Sequence, residues 1–91
     1  MNLCDAITVA NELESFVRSH FQVLESDPLF MRTANLWEEG FVDSTGLVEV
    51  IAFLEERFAI VLPDEVLFDS DFTSIDGIAL CVARIVEEEA A

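Results

Sequence analysis

The stretch EEGFVDSTGLVEVIAFLEERF, residues 38–58, decides the fold of this chain. Within it, apolar residues recur at the spacing of a single helix face, namely Leu47, Val50, Ile51, Leu54 and Phe58. Gly40 favours a turn before this pattern, and Asp43 is a preferred N-cap residue. We therefore predict a helix over residues 44–58 that buries these apolar side chains against a core.

The other face of this predicted helix mixes carboxylates with apolar groups. It carries Thr45, Val48, Glu49, Ala52, Phe53 and Glu56. Such a mixture suits a surface that binds basic, hydrophobic partners. The alternative is that Val48 and Phe53 cover residues of the preceding loop, and the pattern leaves both interpretations open.

The chain before this helix predicts one more helix and a long loop. Residues 5–20 place an apolar stripe on one side of a helix, formed by Ala6, Val9, Ala10, Leu13, Phe16, Val17 and His20. We expect His20 to be partly buried near the helix end, where the dipole favours a cation. Residues 22–43 lack a sustained period and predict a loop held on the core by Leu29, Phe30, Leu36, Trp37, Phe41 and Val42.

Two helices are predicted after residue 58. Pro63 and Asp64 favour the start of a short helix over residues 64–68. A last helix over residues 74–87 has Thr73 or Ser74 as its cap, and we expect its end at Glu87–Glu89 to fray against the dipole. Its buried face is predicted to be Ile75, Ile78, Val82, Ile85 and Val86. The predicted fold class is all-α, a four-helix bundle with a short third helix, in a single domain over residues 1–91.

Composition narrows the classes of function. A hydrophobic content of 53% supports a folded core despite a formal net charge of −15, from 19 acidic and 4 basic residues. This charge disfavours nucleic acid and anionic membranes as ligands and favours basic partner surfaces. The N-terminal residues lack a signal-peptide pattern and no apolar stretch is long enough to span a bilayer, so we expect a cytoplasmic monomer without membrane insertion.

The cysteines predict neither a metal site nor a redox motif. Cys4 and Cys81 are far apart, and the chain has no CxxC pair. We expect two reduced thiols, with Cys81 packed in the core.

The motif Asp43–Ser44 before an amphipathic helix resembles the acyl carrier protein family, including peptidyl and D-alanyl carriers. The resemblance covers nearly the whole chain and is strongest over LWEEGFVDSTGLVEVIAFLEERF, residues 36–58. It implies a 4'-phosphopantetheine arm, derived from coenzyme A, on Ser44, with Asp43 as the positioning acid. It also implies a non-catalytic carrier that presents acyl or aminoacyl thioesters to enzymes of fatty-acid, lipid or specialised-metabolite biosynthesis.

The resemblance assigns partner contacts to the outer face of the second helix. Thr45, Val48, Glu49, Ala52, Phe53 and Glu56 would meet basic patches on a phosphopantetheinyl transferase and on loading and transfer enzymes. Thr45 stands where the family commonly has Leu, and Gly46 stands where an acidic residue is frequent. These departures predict a more flexible first turn. Together with Phe53, which is bulkier than expected at an exposed position, they favour a dedicated carrier similar to D-alanyl and aminoacyl carriers.

Three other classes compete with a carrier. A calcium-binding loop starting at Asp69 would have Ser74 in place of its glycine and Leu80 in place of its last glutamate, so it lacks the bidentate ligand. A serine enzyme using Ser44 would need a nearby base and an oxyanion site, but the chain has one histidine and no GxSxG elbow. An unmodified acidic helical adaptor, binding partners through the second helix, remains open.

Overall fold

The computed structural model describes residues 5–23, 27–28 and 30–90, of which 89 and 90 are described by their backbone alone. These residues form four helices and no strand: α1 (Ala6–His20), α2 (Ser44–Phe58), α3 (Asp64–Leu67) and α4 (Ile75–Ala90). The all-α class, the short third helix and the long loop between the first two helices are thus confirmed. Cys4 and Leu29 lie outside the described residues.

The helix starts follow local capping chemistry. Asp5 accepts the Thr8 N–H at 2.8 Å at the start of α1, and this hydrogen bond lowers the pKa of the Asp5 carboxyl. Of the two predicted caps of α4, Ser74 is the one used, because its Oγ accepts the Gly77 N–H at 3.0 Å. The first turns of α1 and α4 therefore each have a side-chain acceptor for an N–H group that lacks an intrahelical partner, whereas α3 starts after Pro63 without a side-chain cap.

The ends of α3 and α4 differ from the predicted ones. The helix α3 ends at Leu67, one residue early, and α4 continues to Ala90 instead of ending at residue 87. Glutamate and alanine have high helix propensity, which offsets the unfavourable dipole of an acidic C-terminal turn.

A single apolar core holds the helices together, with α1 and α4 in extensive contact. Its fully buried large side chains are Phe72, Leu13, Leu36, Leu54, Ile75, Ile78, Val9, Val17, Val42, Val50 and Val82. Cys81 is buried as predicted, and burial raises the pKa of its thiol. On α4, Ile85 and Val86 are only half-buried.

The predicted core stripe of α2 is partly wrong. Val50, Leu54 and Phe58 are buried, but Leu47 and Ile51 are half-buried, and Gly46 is buried in addition. Leu47 retains exposure because it lines an open cavity at the start of the helix. The buried stripe is therefore rotated toward the side of the helix that carries Gly46.

The long loop is held down as predicted, by both apolar and polar contacts. Phe30, Leu36 and Val42 are buried, and Trp37 and Phe41 pack against the core. The Leu36 N–H donates to the Thr73 carbonyl at 2.8 Å, and the Trp37 Nε1–H donates to the Phe72 carbonyl at 3.2 Å. These bonds fix the loop against the turn before α4.

Candidate functional site at the start of α2

Asp43 forms the N-cap of α2. Its backbone is extended, with φ −92° and ψ −176°, and its carboxylate accepts the Gly46 N–H at 2.7 Å. Its carbonyl accepts the Leu47 N–H at 2.8 Å, which begins the helical hydrogen bonding. The predicted cap is confirmed, and it places the carboxylate over the first turn of the helix.

Ser44 follows as the first residue of α2, and it is exposed. Because Asp43 supplies the cap, the Ser44 hydroxyl is not needed for it. The first N–H groups of a helix have no carbonyl partner within it, and the helix dipole there favours negative charge. The position is therefore suited to an exposed hydroxyl that becomes esterified to an anion.

An open cavity lies beside Ser44. It has a volume of about 280 Å³ and is lined by Trp37, Val42, Asp43, Ser44 and Leu47. The sequence predicted Trp37 and Val42 on the core and Leu47 on the buried stripe. It did not predict that these three residues line a cavity beside Ser44. The only available signal was the proximity of these apolar residues to Asp43 along the chain.

Gly46 does not loosen the first turn, contrary to the expectation from sequence. It is buried, and a Cβ at this position would lie 2.6 Å from Phe21 Cε1 and 3.0 Å from Val42 Cγ1. Glycine allows the end of α1 and the loop to pack directly on the α2 backbone. The first turn is thus covered on its inner side.

The predicted partner face of α2 is only partly exposed. Thr45, Val48, Glu49, Ala52 and Glu56 are exposed, with Val48 at 66%. Phe53, predicted to be an exposed apolar group, is half-buried and stacks on Phe16 of α1, with a centroid distance of 4.2 Å. The alternative prediction was that Val48 and Phe53 cover the preceding loop. For Phe53 this is wrong, because its ring stacks on Phe16 of α1.

His20 is partly buried at the end of α1, as expected. Its side chain is 44% exposed and pairs with Glu49 of α2. The imidazole also stacks on the Phe16 ring, with centroids 4.9 Å apart. Glu49, on the predicted partner face, therefore already has a partner within the chain.

A third contact extends this register between α1 and α2. Arg57 Nη2 lies 2.6 Å from a carboxylate oxygen of Glu12. Glu49, Phe53 and Arg57 follow one another toward the C-terminal end of α2. Their partners His20, Phe16 and Glu12 follow one another toward the N-terminal end of α1, as expected for antiparallel neighbours. A surface cavity of about 510 Å³ runs along this seam, lined by Glu12, Ser15, Phe16, Ser19, His20 and Phe53, and it is larger than the cavity at Ser44.

Comparisons with protein families, with curated proteins and with solved structures find no match for this chain. Within the described ranges, none of the helices has the length and apolar character needed to cross a membrane. The same residues contain no group of three or more histidine, cysteine, aspartate or glutamate side chains arranged to hold a metal ion.

Proposed function

We propose that this protein is a carrier that bears a 4'-phosphopantetheine arm on the Ser44 oxygen. The observation that carries the proposal is the exposed Ser44 at the first residue of α2, released from capping by Asp43 and next to an open apolar cavity. When attached, the arm supplies a thiol that holds an acyl or aminoacyl group as a thioester. The protein itself is a non-catalytic component.

The residues around Ser44 fit the phosphodiester of such an arm. The N–H groups and dipole of the first turn favour its negative charge. The Asp43 carboxylate opposes that charge, but it is held by the Gly46 N–H and positions the serine at the helix start. Trp37, Val42 and Leu47 offer apolar contact beside the attachment point.

The proposed partners are a phosphopantetheinyl transferase and enzymes that load or accept the acyl group. Exposed Thr45 and Val48 lie nearest Ser44 along α2, and the exposed Glu49 and Glu56 lie farther along. A net charge of −15 favours partners with basic docking patches. The proposed pathway class is fatty-acid, lipid or specialised-metabolite synthesis, with a dedicated carrier favoured by Thr45.

A second candidate is an unmodified adaptor that binds partners through α2. It is favoured by Val48, an apolar side chain that is 66% exposed on an otherwise acidic face. The covalent state of Ser44 separates this candidate from a carrier.

The test is intact-protein mass spectrometry after incubation with coenzyme A and a broad-specificity phosphopantetheinyl transferase. The wild type should gain one phosphopantetheine, and Ser44→Ala should gain none. Ser15→Ala is the matched control, since it removes another exposed hydroxyl outside the proposed partner surface, and it should be labelled like the wild type. Equal labelling of Ser44→Ala would show that the wrong hydroxyl was chosen. An unlabelled wild type would favour the adaptor.

A further inference from the structure

A column of stacked rings joins α1 to α2. His20 and Phe53 both stack on Phe16, with centroid distances of 4.9 and 4.2 Å and interplanar angles of 12° and 13°. Phe16 is thus stacked on both sides and also meets the Phe21 ring edge-on, whereas Phe53 stands at the end of the column. Phe53 is half-buried and therefore keeps part of its surface open.

A third cavity adjoins this end of the column. It has a volume of about 450 Å³ and is lined by Phe53, Glu56 and Arg57. Arg57 is tied to Glu12 of α1 through its Nη2 and Nε atoms, at 2.6 and 2.7 Å. Glu56 is exposed and has no ion pair within the described part of the chain. The cavity therefore combines an aromatic ring with a carboxylate that has no cationic partner.

A guanidinium group matches these two features together. It is planar and stacks on aromatic rings, and its N–H donors pair with a carboxylate, whereas an ammonium group is a compact, strongly hydrated charge. The chain itself contains such an arrangement at another place. Arg18 lies over the Phe30 ring, 4.5 Å from its centroid, and pairs with Glu14 at 3.1 Å.

We propose that the cavity beside Phe53 is a docking site for an arginine side chain of a partner protein, which stacks on the end of the ring column and pairs with Glu56. The proposal deepens the proposed function, because it specifies how a basic partner would be recognised on α2, and it adds Phe16 of α1 to that surface as the support of Phe53. Stacking on the Phe53 ring makes the site selective for arginine over lysine. A basic occupant is favoured because the surrounding molecule carries a net charge of −15.

The experiment titrates the isotope-labelled full chain with two matched probes by amide NMR. One probe is an acetylated, amidated peptide of alternating leucine and arginine, and the other replaces every arginine by lysine. We expect the arginine peptide to bind about fivefold more tightly, as for one partly desolvated cation–π contact. The amide shifts should centre on Phe53 and Glu56.

Variants assign the preference to the ring. Phe53→Leu keeps an apolar side chain in the half-buried position and should reduce the arginine-to-lysine affinity ratio to about one. Glu56→Gln should weaken both peptides and preserve much of the ratio. Phe68→Leu is the matched control, because Phe68 is 88% exposed elsewhere on the surface, and it should leave the ratio unchanged.

Two results would overturn the proposal: equal affinities of the two peptides for the wild type, or an undiminished ratio in Phe53→Leu whose amide spectrum shows a folded protein. The result is independent of the arm, since Ser44→Ala should show the same ratio as the wild type. Failure of Ser44 labelling would therefore remove the carrier function and leave this site standing.

Discussion

At the scale of single residues, Asp43 caps α2 and Ser44 presents an exposed hydroxyl, whereas in many helices one serine at the start does both. A serine at the start of a helix is commonly its cap, but here the Asp43 carboxylate accepts the Gly46 N–H at 2.7 Å. Ser44 is left exposed one residue further on. The sequence predicted this cap correctly, because aspartate before an amphipathic pattern is a strong local signal.

Asp43→Ala should therefore lower the free energy of unfolding by about 1 kcal/mol, the usual loss for a missing N-cap. Asp43→Asn keeps a side-chain acceptor and should differ from the wild type by less than about 0.5 kcal/mol. Urea denaturation followed by circular dichroism measures both. Ser44→Ala is the control and should be close to neutral, since it removes an exposed hydroxyl. A loss in Ser44→Ala as large as in Asp43→Ala would assign the cap to the wrong residue.

The need for glycine at position 46 could not be predicted from the sequence, because it arises from contact with Phe21, which is distant along the chain. Alanine is favoured over glycine by about 1 kcal/mol inside a helix. At this position, however, the added Cβ would stand 2.6 Å from Phe21 Cε1 and 3.0 Å from Val42 Cγ1. Overpacking of this kind costs about 1–3 kcal/mol, so we expect Gly46→Ala to destabilise the protein by about 1 kcal/mol.

The measurement is a thermal or urea unfolding curve of Gly46→Ala in two backgrounds. With Phe21→Leu the ring edge is removed, so the same alanine should become less destabilising than in the wild-type background. A more stable Gly46→Ala in the wild-type background would show that Phe21 moves aside without cost.

At the scale of helices, periodicity predicted where α1 and α2 lie but not how they face each other. The spacing of Glu49 and Phe53 placed both on an outer face. In the fold, α1 supplies a partner for each, His20 for Glu49 and Phe16 for Phe53. A helical wheel gives the faces of one helix, and only the register between two helices decides which face is covered.

Glu14 ties α1 to the long loop and gives the fold a specific dependence on pH. It accepts a hydrogen bond from Arg32 Nε at 2.8 Å and pairs with Arg18 at 3.1 Å. The hydrogen bond from Arg32 is the main reason that the pKa of Glu14 lies below its ordinary value of 4.5. A carboxyl with a lowered folded-state pKa contributes stability above its unfolded pKa and loses it as the pH falls through the folded value.

Glu14→Gln should thus be less stable than the wild type near neutral pH, by about 1 kcal/mol for partly exposed ion pairs. The difference should shrink once the pH falls below 4.5 toward the lowered pKa of Glu14. Urea denaturation at a series of pH values measures it. Glu38→Gln, which alters an exposed glutamate, should show little difference at any pH. A constant deficit in Glu14→Gln down to the lowest pH would contradict the ionic origin.

At the scale of the whole molecule, the fold class followed from the sequence, while the candidate site followed only in part. Three long periodic segments with caps define an all-α domain because each condition is local. The cavity beside Ser44 unites Trp37 with Leu47, and the seam beside Phe53 unites α1 with α2. Both depend on contacts between distant segments, which composition and spacing do not specify.

The net charge of −15 is a property of the whole surface, and its effect on stability differs from that of single ion pairs. Repulsion among like charges opposes the compact state, and salt screens it, with a Debye length of about 10 Å at 0.1 M. The exposed ion pairs that salt also weakens are worth only about 0–1 kcal/mol each. We therefore expect the Tm to rise by roughly 5 °C when sodium chloride is raised from about 0.01 M to about 0.2 M. Scanning calorimetry at neutral pH measures how Tm changes with salt concentration. A variant with Glu38, Glu39 and Glu65 all changed to glutamine should show a smaller rise in Tm. A Tm that falls with added salt would mean that the ion pairs of Glu12, Glu14 and Glu49 outweigh the repulsion among the other carboxylates.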